Sequence, residues 1–256
     1  MGIYTNKLYL IYNEDFPMMK NQFENISIIE STNIIDSIVK YWEKFKTWFK
    51  DKVKNIYSNY FKKLPNKPLK LLGLTKSVDI KYISNYSVEE LNKIESKINT
   101  MINLAISDKN GDYNLHLDEE LNSELDNTVN PVIQTYRIDK NNISYGESII
   151  DKNLELQSTC QNFINNINKI YLVNIDKVID SIKSNDRNSK VVASFKINGE
   201  IRKNNDNIVS IDNYIQLSKL VEILRKYSAH LLKISIEISN CNLYNNECIK
   251  ELKNDK

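Results

Sequence analysis

At 256 residues, with 41% hydrophobic and 27% charged residues, the chain has globular proportions, which exclude a wholly disordered protein and allow one large domain or two small ones. Its 5 glycines leave little material for glycine-rich nucleotide cradles, and its 3 cysteines, without a CxxC pair, favour a reduced, intracellular protein. The formal net charge is only +2, but the charge is unevenly distributed along the chain.

A long amphipathic helix is predicted for residues 32–63, after an N-terminal arm whose residues 3–12 indicate a short strand or an extended segment. On a helical wheel the apolar residues of this helix form one stripe, and the lysines lie opposite. The stripe consists of Ile35, Ile38, Trp42, Phe45, Phe49, Val53, Ile56 and Tyr60, and the opposite face carries Lys40, Lys44, Lys50, Lys54 and Lys62. Such a stripe must be buried against the chain itself, a partner or a lipid surface.

This helix also supplies the predicted interaction residues. Residues 40–70 hold ten lysines against two acidic residues, which gives a local charge of +8. Lysines at helical spacing can contact phosphates, and tryptophans can stack on bases or enter a lipid interface. The interaction residues are therefore predicted to be Trp42, Phe45, Trp48 and Phe49 on the apolar side and Lys40, Lys44, Lys50 and Lys54 on the basic side. The alternative is a helix that packs in the core and keeps a solvated lysine face.

Residues 64–86 are predicted to be a connector, because Pro65 and Pro68 end the basic helix. The chain then divides into three parts. The arm and the basic helix occupy residues 1–63, the connector follows, and residues 87–256 form a helical domain with a β-hairpin.

Helices account for most of the predicted helical domain. Ser87 and Glu90 form a capping-box pattern at the start of the first, which keeps helical spacing to about residue 107. The others cover about residues 117–129, about residues 147–184 and the chain from about residue 212, with a short polar tail from residue 242 onward.

A small β-hairpin is predicted near residues 190–202. Apolar residues alternate there before Asn198 and Gly199, a pair that is a strong signal for a two-residue turn. The predicted fold class is therefore mainly α, an elongated multi-helix assembly with this one hairpin.

The loop at residues 108–119 resembles the calcium loop of an EF-hand. Its oxygen-bearing side chains at positions 1, 3, 5 and 12 are Asp108, Asn110, Asp112 and Glu119. Tyr113 takes the position at which that family needs glycine for a sharp turn, so a polar helix-to-helix turn is the alternative. Calcium is the only cofactor that the sequence suggests.

Residues 108–126 also form an acidic block, with seven acidic residues against one lysine and a local charge of −6. This block and the basic residues 40–70 could neutralise each other within one chain or between copies. Salt screens such attraction over about 8 to 10 Å, so the blocks would have to be in close contact. The alternative is two solvated faces that never meet.

The sequence contains little material for catalysis. His116 and His230 are the only histidines, and His230 lies among apolar residues of the last predicted helix. Cys160 has no histidine nearby in the sequence, and Cys241 and Cys248 lack the accompanying histidines of a zinc site. No serine lies in a nucleophile elbow. The chain is therefore predicted not to be an enzyme.

Two stretches in the first quarter of the chain stand out: the opening MGIYTNKLYLIYNEDF and, after a polar stretch, the helix WEKFKTWFKDKVKNIY. Together they resemble virion proteins of large tailed bacteriophages with AT-rich genomes, which are packaged inside the head or belong to the prohead core. The resemblance implies a non-enzymatic, multi-copy structural protein that is made in the host cytoplasm and resides in the capsid interior. Its partners would be other virion proteins, copies of itself or packaged DNA.

The sequence leaves three hypotheses for the function. The first is a phage virion structural protein that acts by helix-mediated assembly with other virion proteins or with packaged DNA. The second is a membrane-active, toxin-like protein that places the basic amphipathic helix on anionic lipid. The third is a calcium-binding helix–loop–helix module built on residues 108–119.

Overall fold

A computed structural model describes residues 31–64, 70–71, 74, 76–107, 115–188 and 211–254. The helices are α1 (Ser31–Asn59), α2 (Val88–Ser107), α3 (Leu115–Asp126), α4 (Ile143–Asn166), α5 (Leu172–Asn188) and α6 (Ile211–Asn254), and the strands are β1 (Val78–Ile83) and β2 (Ile133–Ile138). A π-helical segment, Ile167–Tyr171, joins α4 to α5, and a short 3-10 helix, Phe61–Lys63, follows α1. The fold class is the predicted one, mainly α with one small antiparallel pair of strands.

Helix α6 is the element around which the others pack. It contains 44 residues, so it spans about 66 Å at the usual helical rise, and the assembly is elongated. Helices α1, α3 and α4 and strand β1 lie along it. Three consecutive residues, Ile223, Leu224 and Arg225, are all buried, which shows that neighbours cover α6 from more than one side.

Helix α6 extends further than the sequence predicts. A peripheral polar tail is expected from residue 242 onward, but the helix continues to Asn254, and Asn242, Asn245 and Ile249 are buried. Asn242 donates a side-chain hydrogen bond to the buried Gln157 of α4. The polar composition of this stretch therefore reflects amides that have partners inside the fold, not exposure to solvent.

Two groups of buried side chains form the core. The larger includes the apolar stripe of α1, where Ile38, Trp42, Phe45 and Phe49 are 0% exposed, together with residues of α2, α4, α5 and α6. The smaller lies at the sheet and contains Leu71, Val78, Ile80, Ile138, Ile149, Ile150 and Ile249. The stripe of the basic helix is thus buried against its own chain.

The sheet forms where the sequence analysis placed a connector. Within residues 64–86, β1 carries Val78 and Ile80, which alternate with polar residues and are buried in the smaller core group. Residues 78–83 are therefore part of the core and not a linker. The predicted hairpin near residues 190–202 lies outside the described residues.

Strands β1 and β2 pair antiparallel, from Val78 opposite Ile138 to Ile83 opposite Ile133. Residues 84–132, which include α2 and α3, separate the two strands. The pairing is therefore a long-range contact and not a tight hairpin.

Helix α4 approaches the sheet closely at Gly146. A Cβ atom there would lie 2.7 Å from Cδ1 of Leu71 and 2.8 Å from Cγ1 of Ile138, well inside the optimal separation of about 3.5 to 4.0 Å between carbon atoms. The missing side chain therefore lets α4 cover the smaller core group.

The start of α2 has the capping box that the sequence predicts. The Ser87 N–H donates to Glu90 Oε2 at 3.0 Å, and the Glu90 N–H donates to Ser87 Oγ at 3.1 Å. Each bond satisfies a backbone donor that would lack a partner at the beginning of a helix. This fixes the point at which the chain leaves β1 and enters α2.

Candidate functional site

The apolar side of α1 is held to α5 and α6 by polar contacts as well as by packing. Trp42 Nε1 donates a hydrogen bond to Asp176 Oδ1 of α5 at 2.7 Å, and Tyr41 OH donates to Glu222 Oε2 of α6 at 3.0 Å. The predicted apolar interaction residues are Trp42, Phe45 and Phe49, which are fully buried, and Trp48, which is half-buried. This half of the predicted interaction helix is therefore occupied by the chain's own core.

The opposite side of α1 is the lysine face. Its members are Lys40, Lys44, Lys50 and Lys54, which are all exposed. They lie within about 120° of the helix circumference and extend over about 21 Å of its axis. Among the described residues none of the four forms an ion pair, whereas the neighbouring Lys46 pairs with both Asp176 and Glu43 at 2.8 Å.

Three carboxylates share this side of α1 with the lysine face. Glu43 is bound to Lys46, and Asp36 and Asp51 are exposed. Lys62 and Lys63, in the short helix after α1, are also exposed and continue the positive charge beyond the end of α1. The surface therefore keeps an excess of positive charge.

The acidic block at residues 108–126 does not meet the lysine face in the part of the chain that the structure describes. Glu124 accepts a hydrogen bond from Lys97 Nζ of α2 at 2.7 Å, and Asp126 accepts one from Lys226 Nζ of α6 at 2.5 Å. The bond from Lys97 lowers the pKa of Glu124 below its usual value. These carboxylates tie α3 to α2 and α6, so they do not neutralise the lysines of α1.

The predicted calcium ligands fall almost wholly beyond the described part of the chain. Asp108, Asn110 and Asp112 lie outside it, and Glu119 belongs to α3 with only its backbone described. Within the described ranges, no group of three His, Cys, Asp or Glu side chains is placed to hold a metal ion. The calcium site stays a prediction from sequence.

A buried polar cluster that the sequence analysis missed lies at Glu95 of α2. Its carboxyl oxygens accept hydrogen bonds from Tyr171 OH at 2.6 Å, from Tyr227 OH at 2.5 Å and from Asn166 Nδ2 at 3.0 Å. Asn166 ends α4, Tyr171 ends the π-helical segment, and Tyr227 belongs to α6. The Glu95 cluster therefore joins α2 to α6 and to the junction between α4 and the π-helical segment.

The chemistry of the Glu95 cluster is that of a structural clamp. Burial, with a further contribution from Glu95, raises the pKa of both Tyr171 and Tyr227, so both phenols stay protonated and donate. One signal in the sequence points to the cluster. Glu95 lies on the apolar stripe of α2 between Leu91 and Ile98, where a carboxyl group needs buried hydrogen-bond donors.

Buried histidine and cysteine side chains are also placed for packing. His230 of α6 meets the ring of Tyr86 edge-on, with centroids 5.1 Å apart, and burial lowers the pKa of His230 to about 4. Burial raises the pKa of Cys160 to about 12 and that of Cys241 to about 12. At neutral pH both thiols are protonated, which does not suit nucleophilic chemistry, and an imidazole with so low a pKa is a weak base.

Two surfaces are therefore candidates for binding another molecule: the lysine face of α1 and strand β2, in which five of the six residues are exposed.

None of the helices in the described ranges combines the length and the apolar character that crossing a membrane requires. Comparisons of the chain with protein-family models, with curated proteins and with solved structures give no match.

Proposed function

We propose that this chain is a non-enzymatic structural protein of a bacteriophage virion, present in many copies inside the head. In this role the lysine face of α1 contacts packaged DNA or an acidic surface of another virion protein. The proposal draws on the resemblance of the opening and of the basic helix to phage head proteins. It draws equally on the structure of α1, whose apolar side is buried and whose lysines are exposed.

The observation that carries the proposal is the division of α1 into a buried stripe and an exposed lysine face. Trp42, Phe45 and Phe49 fix the helix in the core at 0% exposure, which presents the lysines on a rigid support. Over the roughly 21 Å that the lysine face covers, one strand of B-DNA presents about six phosphates. A fixed row of this length suits a long polyanion better than a small ligand.

The lysine face contributes little to the fold. Lys40 and Lys44 are four residues apart, as are Lys50 and Lys54, and like charges at this spacing destabilise a helix by about 0.2 to 0.5 kcal/mol per pair. A bound polyanion would remove this repulsion and release its own counterions. The arrangement therefore favours binding over stability of the free chain.

Binding to DNA would not depend on base sequence. Helix α1 contains no arginine, and arginine is the side chain that most often reads bases through paired hydrogen bonds. Lysine acts on phosphates as a point charge. The lysine face therefore suits packaged DNA of any sequence.

The membrane-active hypothesis requires α1 to leave the core. The side chains that would enter lipid include Trp42 and Phe45, and moving a fully buried apolar side chain from the core into water costs about 1.5 to 3 kcal/mol before contact with lipid recovers part of it. The polar contact between Trp42 and Asp176 would also be lost. The folded chain therefore supports the lysine face as the interaction surface and not the apolar stripe.

The virion location is tested by mass spectrometry of purified virions that have been treated with nuclease and protease. We expect peptides of this chain at high copy number, protected from protease until the heads are opened. If the peptides are absent, or are removed by protease from intact virions, the chain is not an internal head protein.

The lysine face is tested by changing all four of its lysines to glutamine in the full-length chain. We expect the dissociation constant for a duplex of about 20 base pairs, measured by fluorescence anisotropy at low salt, to rise at least tenfold. We also expect the slope of log K against log salt to fall by about 3 to 4, because each lost phosphate contact removes about 0.9.

A matched control carries the same loss of charge elsewhere. Lys140, Lys152, Lys169 and Lys177 are also exposed, and their change to glutamine should leave most of the binding intact. Equal loss in both variants would show that net charge, and not the lysine face, governs binding. If the wild-type chain does not bind DNA at low salt, the proposed partner of the lysine face is an acidic surface of another virion protein.

A further inference from the structure

One edge of strand β2 is not paired with any strand in the described part of the chain. The Ser84 N–H donates to the Val132 carbonyl at 3.0 Å, and the antiparallel register alternates between residues that face the partner strand and residues that face away. Even-numbered residues of β2 therefore face β1. The backbone groups of Ile133, Thr135 and Arg137 face outward, and we call this the bare edge.

Few of the backbone groups on the bare edge have partners. The Arg137 carbonyl accepts a hydrogen bond from Asn142 Nδ2 at 3.2 Å. Among the described residues the N–H and C=O of Ile133 and Thr135 have none. A strand with open donors and acceptors along one side is a template for another strand.

The opposite edge of the same sheet is occupied by side chains at its middle residue, Lys81. The Lys81 N–H donates to Asn245 Oδ1 at 2.8 Å, and the Lys81 carbonyl accepts from Asn245 Nδ2 at 2.9 Å and from Asn153 Nδ2 at 2.9 Å. The amide of Asn245 thus gives Lys81 the pair of bonds that a neighbouring strand would give. The outer edge of β1 is therefore occupied at Lys81 and has α6 packed along it, whereas Ile133 and Thr135 on the bare edge of β2 have no backbone partner among the described residues.

Exposed apolar side chains are concentrated in β2 and in the residues next to it along the chain. Of the ten large hydrophobic residues that are exposed among the described residues, five lie within residues 129–145. They are Val129 at 66% exposure, Val132 at 44%, Ile133 at 42%, Tyr136 at 39% and Tyr145 at 49%. Exposed apolar groups beside an open strand edge indicate a surface that another chain covers.

We propose that β2 pairs with β2 of a second copy of this chain, antiparallel, about a two-fold axis at Thr135. The two sheets then join into one of four strands in the order β1, β2, β2, β1. In this register all three outward-facing residues find partners: Thr135 faces Thr135 of the second copy, and Ile133 faces Arg137 of the second copy. The proposal does not depend on the virion location.

The charge of the strand favours pairing with a second copy of the chain in this register. Arg137 is the only charged residue in the β2 sequence IQTYRI. With the axis at Thr135, Arg137 lies opposite the neutral Ile133, so the two arginines do not face each other. The threonine pair at the axis is a favourable cross-strand pair, and the aliphatic part of Arg137 can cover Ile133.

The size of the contact predicts a reversible dimer. One six-residue strand and the apolar side chains around it place the interface at the small end, below about 1,200 Å² in total, where complexes are weak or transient. We therefore expect a dissociation constant in the micromolar range or above. Dimerisation should appear only as the concentration rises.

Sedimentation of the full-length chain at concentrations up to about 500 µM tests the proposal. The wild-type chain should shift from monomer to dimer. Thr135→Lys and Thr135→Glu should each weaken the dimer at least tenfold, because each places two like charges against each other at the axis. An equimolar mixture of the two variants should form a heterodimer, because opposite charges then meet.

Thr135→Pro gives a second, independent variant. Proline removes an outward N–H that the internal pairing with β1 does not use, so the fold should persist while the dimer is lost. Unchanged thermal unfolding of each variant at low concentration checks that the monomer is intact. A wild-type chain that stays monomeric at about 500 µM, or single variants that dimerise like the wild type, would overturn the proposal.

Discussion

Trp42→Ala is expected to lower the free energy of unfolding by about 3 to 5 kcal/mol, the usual loss for a large buried aromatic residue. Trp42 is 0% exposed, and its ring lies 5.4 Å from that of Phe45. The change removes this packing and leaves a cavity between α1 and its neighbours. It also removes the hydrogen bond from Trp42 Nε1 to Asp176, although Asp176 keeps its contact with Lys46 at 2.8 Å. Urea unfolding of the full-length chain, followed by circular dichroism, measures the loss.

Matched changes on the same helix separate packing from charge. Trp48→Ala removes the other tryptophan, which is half-buried, and should cost clearly less. The four-lysine variant should unfold close to the wild type, because exposed lysines contribute little to stability. If Trp42→Ala leaves the urea midpoint unchanged, the stripe of α1 is not part of the core in solution. The stripe would then be free to enter lipid, as the membrane-active hypothesis requires.

Much of the helical fold can be predicted from local sequence. The stripe of α1 and the capping box at Ser87 and Glu90 are readable because helical contacts join residues three or four apart. The buried face of α1 therefore agrees with the wheel drawn from sequence alone. What the stripe packs against could not be read, because Asp176 and Glu222 lie more than a hundred residues away along the chain.

Strand β1 has a local sequence pattern of its own, whereas its pairing with β2 has none. In β1, Val78, Ile80 and Tyr82 alternate with Asp79 and Lys81, which is a strand pattern. The sequence nevertheless predicts residues 78–83 to be part of the connector that follows Pro65 and Pro68. The partner β2 follows only after α2 and α3, and a pairing across such a distance has no local signal.

The candidate surfaces were predicted only in part. The lysine face of α1 follows from spacing, and the structure adds that its lysines lack ion pairs among the described residues. The bare edge of β2 depends on which neighbours reach it. The Glu95 cluster likewise draws its donors from distant segments, so the sequence could mark Glu95 as unusual without naming Tyr171 or Tyr227.

Glu95→Ala is expected to reduce the free energy of unfolding by an amount on the order of 3 to 5 kcal/mol, because it removes the shared acceptor of a buried hydrogen-bonded cluster. Glu95 is 8% exposed and is the shared acceptor for Tyr171, Tyr227 and Asn166. Its removal leaves these buried donors without that acceptor, and each unsatisfied group costs about 1 to 3 kcal/mol. Relaxation of the site and entry of water reduce the total below the simple sum.

Glu95→Gln provides the matched comparison, because it keeps the shape of the side chain and one carbonyl acceptor. It should cost about 1 to 2 kcal/mol, less than alanine, since an amide can satisfy part of the network. Asn99→Ala, at an exposed position of the same helix, should stay within about 0.5 kcal/mol of the wild type. In urea unfolding, Asn99→Ala should therefore be the most stable of the three variants, Glu95→Gln the next and Glu95→Ala the least stable. If Glu95→Gln is as stable as the wild type while Glu95→Ala is not, side-chain volume, and not the hydrogen bonds from Tyr171 and Tyr227, holds α2 in place.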